Sequence, residues 1–230
     1  MPRSNIKTPY SSHESSRRII GDGLDIILIH GMARTPLAMG VLHYRLRKAG
    51  FKPSLFGYSP TVESFKNCTA RLVKNIRKTI GDRPYALVGH SLGTVLIRGA
   101  LPALEAHPPL ACFFLAPPSQ ACRAARFFAD NPLYRLLMGE MGQLLASESF
   151  MAALPQPLPQ TWIYAGTKGP RGKLSPFGEE PNDGILLVAE TQVAGGIPVV
   201  EIPASHTFIM NSRLVAEGIA DTLATLQKSA

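Results

Sequence analysis

A serine between two glycines stands at the centre of the segment ALVGHSLGTVL, residues 86–96. The serine is Ser91, and Gly89 and Gly93 lie two residues before and after it. Apolar runs on both sides of the motif predict a buried strand that turns sharply into a helix. Glycines at these two positions omit the Cβ atoms that would collide with the strand and the helix. The spacing therefore predicts an exposed serine nucleophile, and a tight glycine-rich packing turn is the alternative.

A serine hydroxyl is a poor nucleophile near neutral pH and needs a base that an acid orients. Of the six histidines, His206 follows the last predicted strand in the segment IPASHTF, at the sheet edge where Ser91 is expected. The others fall in the N-terminal arm, at the end of the first strand, within a helix, beside the serine or at the opposite edge: His13, His30, His43, His90 and His107. Elimination therefore predicts that His206 is the base, and an ordinary loop histidine is the alternative.

The acid must come from the nine carboxylates between Ser91 and His206. The long loop after the strand TWIYAG carries Glu179, Glu180 and Asp183. Asp183 is favoured, because Gly184 frees the backbone to turn a short carboxylate inward. The two glutamates stay as alternatives, and the NDG sequence also fits an ordinary turn. The remaining acids are expected away from that edge or in a cap: Glu105, Glu190, Glu201, Asp130, Glu140 and Glu148.

Acyl transfer also needs hydrogen-bond donors that face the developing oxyanion. The backbone N–H of Leu92, at the start of the predicted helix, is one candidate. The second is the backbone N–H of Met32, in the loop HGMARTP after the first strong strand. Gly31 would let this loop approach the serine, and the alternative is a glycine that only ends the strand.

Buried strands and helices alternate along the chain. The segment LDIILIHG, residues 24–31, is a nearly continuous apolar run, as expected for a strand that is covered on both faces. The same succession of strand, loop and helix recurs to the end of the chain. It predicts an α/β fold with a mostly parallel central sheet and helices on both faces.

Two stretches interrupt this alternation. Residues 118–160 contain aromatic and Met-rich segments that predict a small cap. Some of its apolar side chains are candidates either for binding an acyl chain or for the core: Phe127, Phe128, Leu136 and Met138. The loop 166–184 is long and rich in Gly and Pro, which favours a functional role.

The length of 230 residues fits one domain, expected over residues 21–230 after a flexible arm at 1–20. No apolar run approaches the roughly 20 residues that span a bilayer, and the start lacks the apolar stretch of a secretory signal. The three cysteines show no metal-ligand spacing. These features predict a soluble, cytoplasmic protein with reduced thiols.

The formal net charge of +8 comes partly from the arm and partly from the segment FKNCTARLVKNIRKTIGDR, residues 65–83. That segment has the spacing of an amphipathic helix, so its bases are predicted to form a solvated face. Weak association with an anionic membrane surface is the alternative. No nucleic-acid motif accompanies the charge, so no nucleic-acid partner is expected.

The HG pair after a strand, the GHSLG elbow, the NDG loop and the SHTF segment together resemble the α/β-hydrolase superfamily over residues 24–228. Within it, the chain is similar to compact bacterial serine esterases and lipases, including the branch similar to GPI-inositol deacylases. The resemblance implies Ser91 as nucleophile, His206 as base, Asp183 as orienting acid, and Met32 and Leu92 as oxyanion donors. The opening HGM matches a simple oxyanion loop and lacks the extra glycines of HGGG enzymes. The short cap puts interfacial activation in doubt.

These observations predict a cofactor-free serine hydrolase that acts on a small-molecule ester or a lipid. A thioesterase uses the same chemistry and is the nearest alternative. A binding protein with this fold and no catalysis is a third, because the fold carries many functions. Acyl length, alcohol and oligomeric state are left open by the sequence.

Overall fold

The computed structural model describes residues 23–121, 132–173, 175–193 and 196–229, with the backbone alone at 132–138. The predicted arm at 1–20 lies outside the described residues, and so does part of the predicted cap. The candidate acyl-binding residues Phe127 and Phe128 lie outside them too, and the side chains of Leu136 and Met138 are not described. No helix in the described ranges is long and apolar enough to cross a membrane.

The strands of the described chain form a six-stranded sheet in which every neighbouring pair is parallel. In chain order the strands are β1 Asp25–Ile29, β2 Lys52–Phe56, β3 Tyr85–His90, β4 Ala111–Leu115, β5 Thr161–Gly166 and β6 Val199–Ile202. Across the sheet their order is β2-β1-β3-β4-β5-β6. The predicted α/β fold with a parallel central sheet is therefore confirmed.

Helices connect the strands, as parallel pairing requires. The α-helices are α1 Gly40–Lys48, α2 Phe65–Ile80, α3 Leu92–Ala100, α4 Pro132–Ala146, α5 Glu148–Ala153 and α6 Arg213–Ser229. Short 3₁₀ turns span Pro36–Met39, Leu101–Leu104, Val188–Thr191 and His206–Asn211. Helix α4 is kinked at Gly139, where φ is 58° and a Cβ atom would lie 2.3 Å from the Thr61 carbonyl oxygen.

The core lies on both faces of the sheet. Strand β1 shows why, because its alternate side chains point to opposite faces. Ile27 and Ile29 pack with α2 and α3, and Ile26 and Leu28 pack with α1 and α6. All four are fully buried. This explains why the strand is apolar at consecutive positions instead of at alternate ones.

The first two helical segments begin in different ways. The chain enters the first one through a 3₁₀ turn at Pro36–Met39, and the Thr35 side chain makes no capping bond there. Helix α2 begins at Phe65. The reason is local: the Ser64 hydroxyl accepts a hydrogen bond from the Asn67 N–H at 3.2 Å, which satisfies a donor of the first turn.

The parallel arrangement brings the C-terminal ends of all the strands to one edge, here called the carboxyl edge. The loop after β1, the turn after β3, the long loop after β5 and the segment after β6 all leave the sheet there. Ligands of open parallel sheets bind at this edge.

Two buried free thiols, Cys68 and Cys112, lie in the core, and burial raises the pKa of each to about 12. They are therefore protonated and not suited to act as nucleophiles.

Candidate active site

Ser91 occupies the turn between β3 and α3 with φ of 50° and ψ of −118°. A positive φ is uncommon for a residue with a side chain and marks a strained turn. The Ser91 N–H donates to the Leu115 carbonyl oxygen at 2.9 Å, which ties the turn to the end of β4. The chain therefore leaves β3 sharply and carries the serine at the carboxyl edge. The prediction of an exposed serine was wrong, because Ser91 is only 9% exposed in this turn.

The two flanking glycines make this turn possible. A Cβ atom on Gly89 would lie 2.7 Å from the Thr94 backbone nitrogen. One on Gly93 would lie 2.5 Å from the Ile29 carbonyl oxygen. Both distances are shorter than a real Cβ contact, so neither position has room for a side chain. The spacing of the motif thus has the steric cause that the sequence indicated.

Asp183 and His206 form a buried pair. The His206 Nδ1 atom lies 2.7 Å from Asp183 Oδ2, and the two side chains are 8% and 1% exposed. An ionised carboxylate only accepts hydrogen bonds, so Nδ1 carries the proton and Nε2 is left to accept one. The His206 backbone N–H also donates to the Asp183 carbonyl oxygen at 2.9 Å. The aspartate therefore fixes both the tautomer and the position of the imidazole.

The Asp183 carboxylate is held by the loop in which it lies. Its Oδ1 atom accepts from the N–H groups of Ile185, at 2.9 Å, and Leu186, at 2.7 Å. Gly184 takes φ of 96°, which lets the backbone curl around the carboxylate. One oxygen is thus occupied by the backbone and the other by His206, and both are in place before any substrate arrives.

Asn182 supports this loop, and the sequence reasoning did not identify it. Its Oδ1 accepts from the Gly184 N–H at 3.0 Å, and its Nδ2 donates to the carbonyl oxygens of Pro170 and Glu180 at 3.0 and 2.9 Å. The residue is fully buried. A Cβ atom on Gly169 would lie 1.6 Å from Asn182 Oδ1, so the loop closes tightly around this amide. The signal in the sequence was the PNDG segment, which indicated a turn but not its partners.

His90 contacts the backbone of His206. Its Nε2 atom lies 3.0 Å from the His206 carbonyl oxygen, and the two ring centroids are 5.0 Å apart. Burial lowers the pKa of His90 well below its usual 6.5, and the neighbouring His206, Arg34 and His30 lower it further. The ring is therefore neutral, and Nε2 bears the proton that it donates to the carbonyl. Its side chain contacts the segment that carries His206.

The loop after β1 lies against the serine. A Cβ atom on Gly31 would lie 3.1 Å from Ser91 Cβ, so the glycine permits this close approach. His30 and Tyr58 stabilise the loop: their rings stack at 4.3 Å, and the Tyr58 hydroxyl donates to the His30 carbonyl oxygen at 2.8 Å. The next residue, Met32, is partly buried. The predicted oxyanion loop is thus beside Ser91.

Leu92 is the first residue of α3. A backbone N–H in the first turn of a helix has no acceptor within that helix, and the positive end of the helix dipole lies there. This N–H is adjacent to Ser91 in the chain. Leu92 thus begins the helix as the sequence indicated, and its role as an oxyanion donor stays a prediction.

No hydrogen bond joins the Ser91 hydroxyl to His206 among the residues that the structure describes. The two residues are nevertheless at the same edge, because His90 precedes the serine and contacts His206 directly. Hydrogen bonds between a nucleophile and its base are often long before substrate binds and shorten in the reacting complex. The lack of this bond is therefore compatible with a nucleophile and its base.

The other candidate residues lie apart from His206. Glu179 and Glu180 are exposed. Glu190 was expected away from the carboxyl edge, and this expectation was wrong. Its 3₁₀ turn folds back so that its carbonyl oxygen accepts from the Ser119 N–H, just beyond β4, and its carboxylate accepts from the Leu187 N–H at 2.9 Å.

The described ranges contain no group of three or more His, Cys, Asp or Glu side chains that could hold a metal ion.

The remaining histidines lie where the sequence indicated. His43 is within α1, and the His107 carbonyl oxygen accepts from Tyr85 at the start of β3, the end opposite the carboxyl edge. His13 lies outside the described residues. His206 is therefore the described histidine that combines a carboxylate partner with the edge of Ser91.

Comparison with protein families adds an independent observation. A model of the alpha/beta hydrolase family matches residues 26–217. The chain belongs to this family. A search of curated proteins found no match.

Solved structures with the same fold include several hydrolases. The mature lipase BlEst2 of Bacillus licheniformis is 18% identical, with a TM-score of 0.62, and the match covers 88% of this chain and 92% of the lipase. A pyrethroid hydrolase from Sphingobium faniae JZ-2 is 16% identical, with a TM-score of 0.56 and coverage of 90% and 99%. The RedJ thioesterase from the prodiginine pathway of Streptomyces coelicolor is 16% identical, with a TM-score of 0.56 and coverage of 88% and 89%. At these identities the likeness shows the fold.

Proposed function

We propose that this protein is a serine hydrolase that cleaves carboxylic esters through an acyl-enzyme intermediate. The observation that carries the proposal is the buried Asp183–His206 pair at 2.7 Å, at the same sheet edge as the strained turn of Ser91. A serine, a carboxylate and an imidazole in this order along an alpha/beta hydrolase chain form the constellation that activates a hydroxyl.

In the first half-reaction, the Ser91 oxygen attacks the carbonyl carbon of the ester while His206 Nε2 takes its proton. Asp183 stabilises the imidazolium that forms, through the Nδ1 hydrogen bond. His206 then gives this proton to the leaving alcohol, and the acyl group stays on Ser91. In the second half-reaction, His206 takes a proton from water while the water oxygen attacks the acyl carbon. The bond between the acyl carbon and the Ser91 oxygen then breaks, His206 returns the proton to that oxygen, and the acid leaves.

The negative charge on the carbonyl oxygen needs donors during both attacks. We assign this role to the backbone N–H groups of Met32 and Leu92. The close approach of Gly31 to Ser91 and the position of Leu92 at the start of α3 support the assignment. Such preorganised donors contribute on the order of a hundredfold to a thousandfold each in rate.

Within the ester hydrolases, the closest description we propose is a compact bacterial esterase or lipase. The lipase and the pyrethroid hydrolase among the structural neighbours favour this reading. The similarity to the GPI-inositol deacylase branch stays a prediction.

A thioesterase is the second candidate, and the RedJ thioesterase among the neighbours is the observation that favours it. The same residues would act in the same order, with a thiolate as the leaving group. A thiolate departs more readily than an alkoxide, so a thioesterase relies less on protonation of the leaving group by His206.

The test compares oxygen and sulfur esters that carry identical acyl chains. p-Nitrophenyl esters and the matching N-acetylcysteamine thioesters, from acetyl to palmitoyl, are offered to the wild type and to Ser91→Ala. We expect hydrolysis of oxygen esters that disappears in the variant, and the acyl series separates an esterase from a lipase. A clear preference for thioesters in kcat/KM would replace ester by thioester hydrolysis. A folded wild type that hydrolyses neither series would overturn the enzymatic proposal in favour of a binding protein.

A further inference from the structure

Four large apolar side chains are exposed on two neighbouring parts of the chain, the segment 36–48 and the turn His206–Asn211. Leu37 is 79% exposed, Val41 42%, Tyr44 65% and Phe208 61%. The first three recur along one side of the 3₁₀ turn Pro36–Met39 and helix α1. Phe208 lies in the turn His206–Asn211. We call these four residues the apolar face.

The apolar face is additional to the side of α1 that packs in the core. Met39, Leu42 and Leu46 are fully buried and belong to the same core cluster as Ile209 and Met210. A surface helix of a globular protein ordinarily presents polar residues opposite its buried stripe. Here the opposite side is also apolar, so burial in the core does not explain why these residues are apolar.

The two elements that carry the apolar face are joined. The buried residues of α1 and of the turn His206–Asn211 pack in one cluster. The Arg45 guanidinium also donates to the Asn211 carbonyl oxygen. Phe208 and the exposed side chains of α1 are therefore held on neighbouring elements in fixed positions, and exposed apolar groups that cluster in this way mark an interaction surface.

The chain segment that carries Leu37, Val41 and Tyr44 has charge of one sign. Residues 26–62 contain no acidic side chain, whereas they contain five basic ones, Arg34, Arg45, Arg47, Lys48 and Lys52. Arg47 and Lys48 are exposed in the last turn of α1, three and four residues after Tyr44 and therefore beside it on the helix. These two bases complement a negatively charged partner, and the apolar side chains require a partner that can also take up hydrocarbon.

We propose that the apolar face docks on a membrane surface that contains anionic lipids. Apolar side chains that enter the boundary between headgroups and acyl chains, with bases around them, are the combination that binds such a surface. A folded protein partner would supply apolar contact as well, but the exposed bases Arg47 and Lys48 beside Tyr44 favour anionic lipid headgroups. The docking site is distinct from helix α2, where the sequence alone had suggested membrane contact.

Helix α2 has the charge but lacks the apolar part. Its apolar residues face the core: Cys68, Leu72, Val73, Ile76 and Ile80. Several of its bases have partners within the protein, because Arg71 pairs with Glu63 and the Arg77 guanidinium donates to the Ala103 carbonyl oxygen at 2.8 Å. Bases of this kind make a solvated face, as the helix pattern predicted.

Docking through the apolar face would turn the candidate site toward the lipid. Phe208 is two residues beyond His206, and the turn Pro36–Met39 follows the loop that carries Met32. This orientation implies that the substrates are esters of membrane lipids, an inference that rests on the proposed function. Docking itself requires no catalysis.

The test therefore uses the full chain with Ser91→Ala, so that no lipid is consumed. The protein is sedimented with vesicles of equal parts phosphatidylcholine and phosphatidylglycerol, and with vesicles of phosphatidylcholine alone. We expect binding to the anionic vesicles that weakens with salt. Leu37→Ser with Phe208→Ser should lower the partition coefficient about tenfold or more. Arg47→Gln with Lys48→Gln should lower it by at least about fivefold.

Matched controls keep the proposal falsifiable. Val200→Ser removes an exposed apolar side chain from β6, and Lys74→Gln with Lys78→Gln removes two bases from α2; both should bind like the parent. Thermal unfolding must show that every variant is folded. Absence of binding by the parent, an unchanged partition of the Leu37/Phe208 variant or a larger loss in the α2 variant would overturn the proposal. If ultracentrifugation shows that the parent is a dimer and that the Leu37/Phe208 variant is a monomer, the apolar face would be assigned to contact with a second copy of the chain instead. Hydrolysis of soluble p-nitrophenyl acetate by the wild type is scored separately, and it tests the proposed function alone.

Discussion

The Nε2 atom of His90 lies 3.0 Å from the backbone carbonyl oxygen of His206. This contact links the residue before the candidate nucleophile to the residue that is the candidate base. From the other side, Asp183 accepts the Nδ1–H and the backbone N–H of the same histidine. His206 is thus fixed through three of its polar atoms, and its Nε2 is left for the reaction.

The His90 contact predicts a positioning role. His90→Ala removes the donor and should lower kcat about tenfold to a hundredfold with little change in KM, because His206 would lose its alignment with Ser91. His90→Gln places an amide donor near the position of the imidazole Nε2 and should recover most of the activity. His43→Ala in α1 is the matched control and should behave as the wild type. Equal losses in the Ala and Gln variants would leave His90 with a packing role only.

Stability should depend on pH through His90. Its pKa in the folded protein is well below the usual 6.5, first because of burial and then because of His206, Arg34 and His30. The unfolded chain therefore binds a proton below about pH 6.5 that the folded chain does not, so stability is present above that pH and is lost as the pH falls. The free energy of unfolding should fall by up to about 1.4 kcal/mol per pH unit for this group.

Urea unfolding of the wild type and of His90→Gln measures this slope. The variant should lose part of the pH dependence between about pH 6.5 and about pH 5, because its amide does not titrate. His30, whose pKa burial also lowers, would account for part of what remains. Identical slopes in the two proteins would contradict the assignment to His90.

Substitution of Asp183 and of the two exposed glutamates tests which carboxylate orients His206. Asp183→Asn keeps the size of the side chain but removes the carboxylate that fixes the Nδ1 tautomer, and we expect kcat to fall about a thousandfold to ten-thousandfold. Glu179→Gln and Glu180→Gln should change kcat less than about twofold, because both residues are exposed and the carboxylate beside His206 Nδ1 is that of Asp183. Steady-state kinetics on one p-nitrophenyl ester decides between them. A large loss in a glutamate variant and none in Asp183→Asn would reassign the acid.

Alanine substitutions at Gly93 and Gly40 test whether the turn at Ser91 has no room for a Cβ atom. A Cβ on Gly93 would lie 2.5 Å from the Ile29 carbonyl oxygen, so Gly93→Ala should destabilise the protein by about 1–3 kcal/mol. A Cβ on Gly40 would meet nothing within 4 Å, and this residue is helical, so Gly40→Ala should stabilise by about 0.5–1 kcal/mol. Denaturant unfolding of both variants measures the difference. A Gly93→Ala protein as stable as the wild type would mean that the turn relaxes without cost.

The sheet could be predicted because strands that are buried on both faces have apolar residues at consecutive positions. The apolar run at 24–31 and the glycines around Ser91 have single physical causes, which are burial on both faces and a lack of room for Cβ atoms. Elimination by sheet edge also singled out Asp183 and His206, and the fold brings them within hydrogen-bond distance. Their catalytic roles stay predictions.

Other features depend on contacts between distant segments and leave no local pattern. The bond between His90 and the His206 carbonyl joins positions 116 residues apart. The fold-back of Glu190 toward Ser119 depends on the path of a long loop, which composition does not specify. The apolar face shows the same limit, because only the packing reveals which apolar residues of α1 are buried and which are left exposed.

The most direct test of the central claim is covalent labelling by a fluorophosphonate. Such a probe reacts with a serine that a neighbouring base activates, so it reports the nucleophile without requiring the natural substrate. We expect one probe per chain, located at Ser91 by peptide mass spectrometry, absent from Ser91→Ala and much slower in Asp183→Asn. A folded wild type that is not labelled, or a label that persists in Ser91→Ala, would contradict the account.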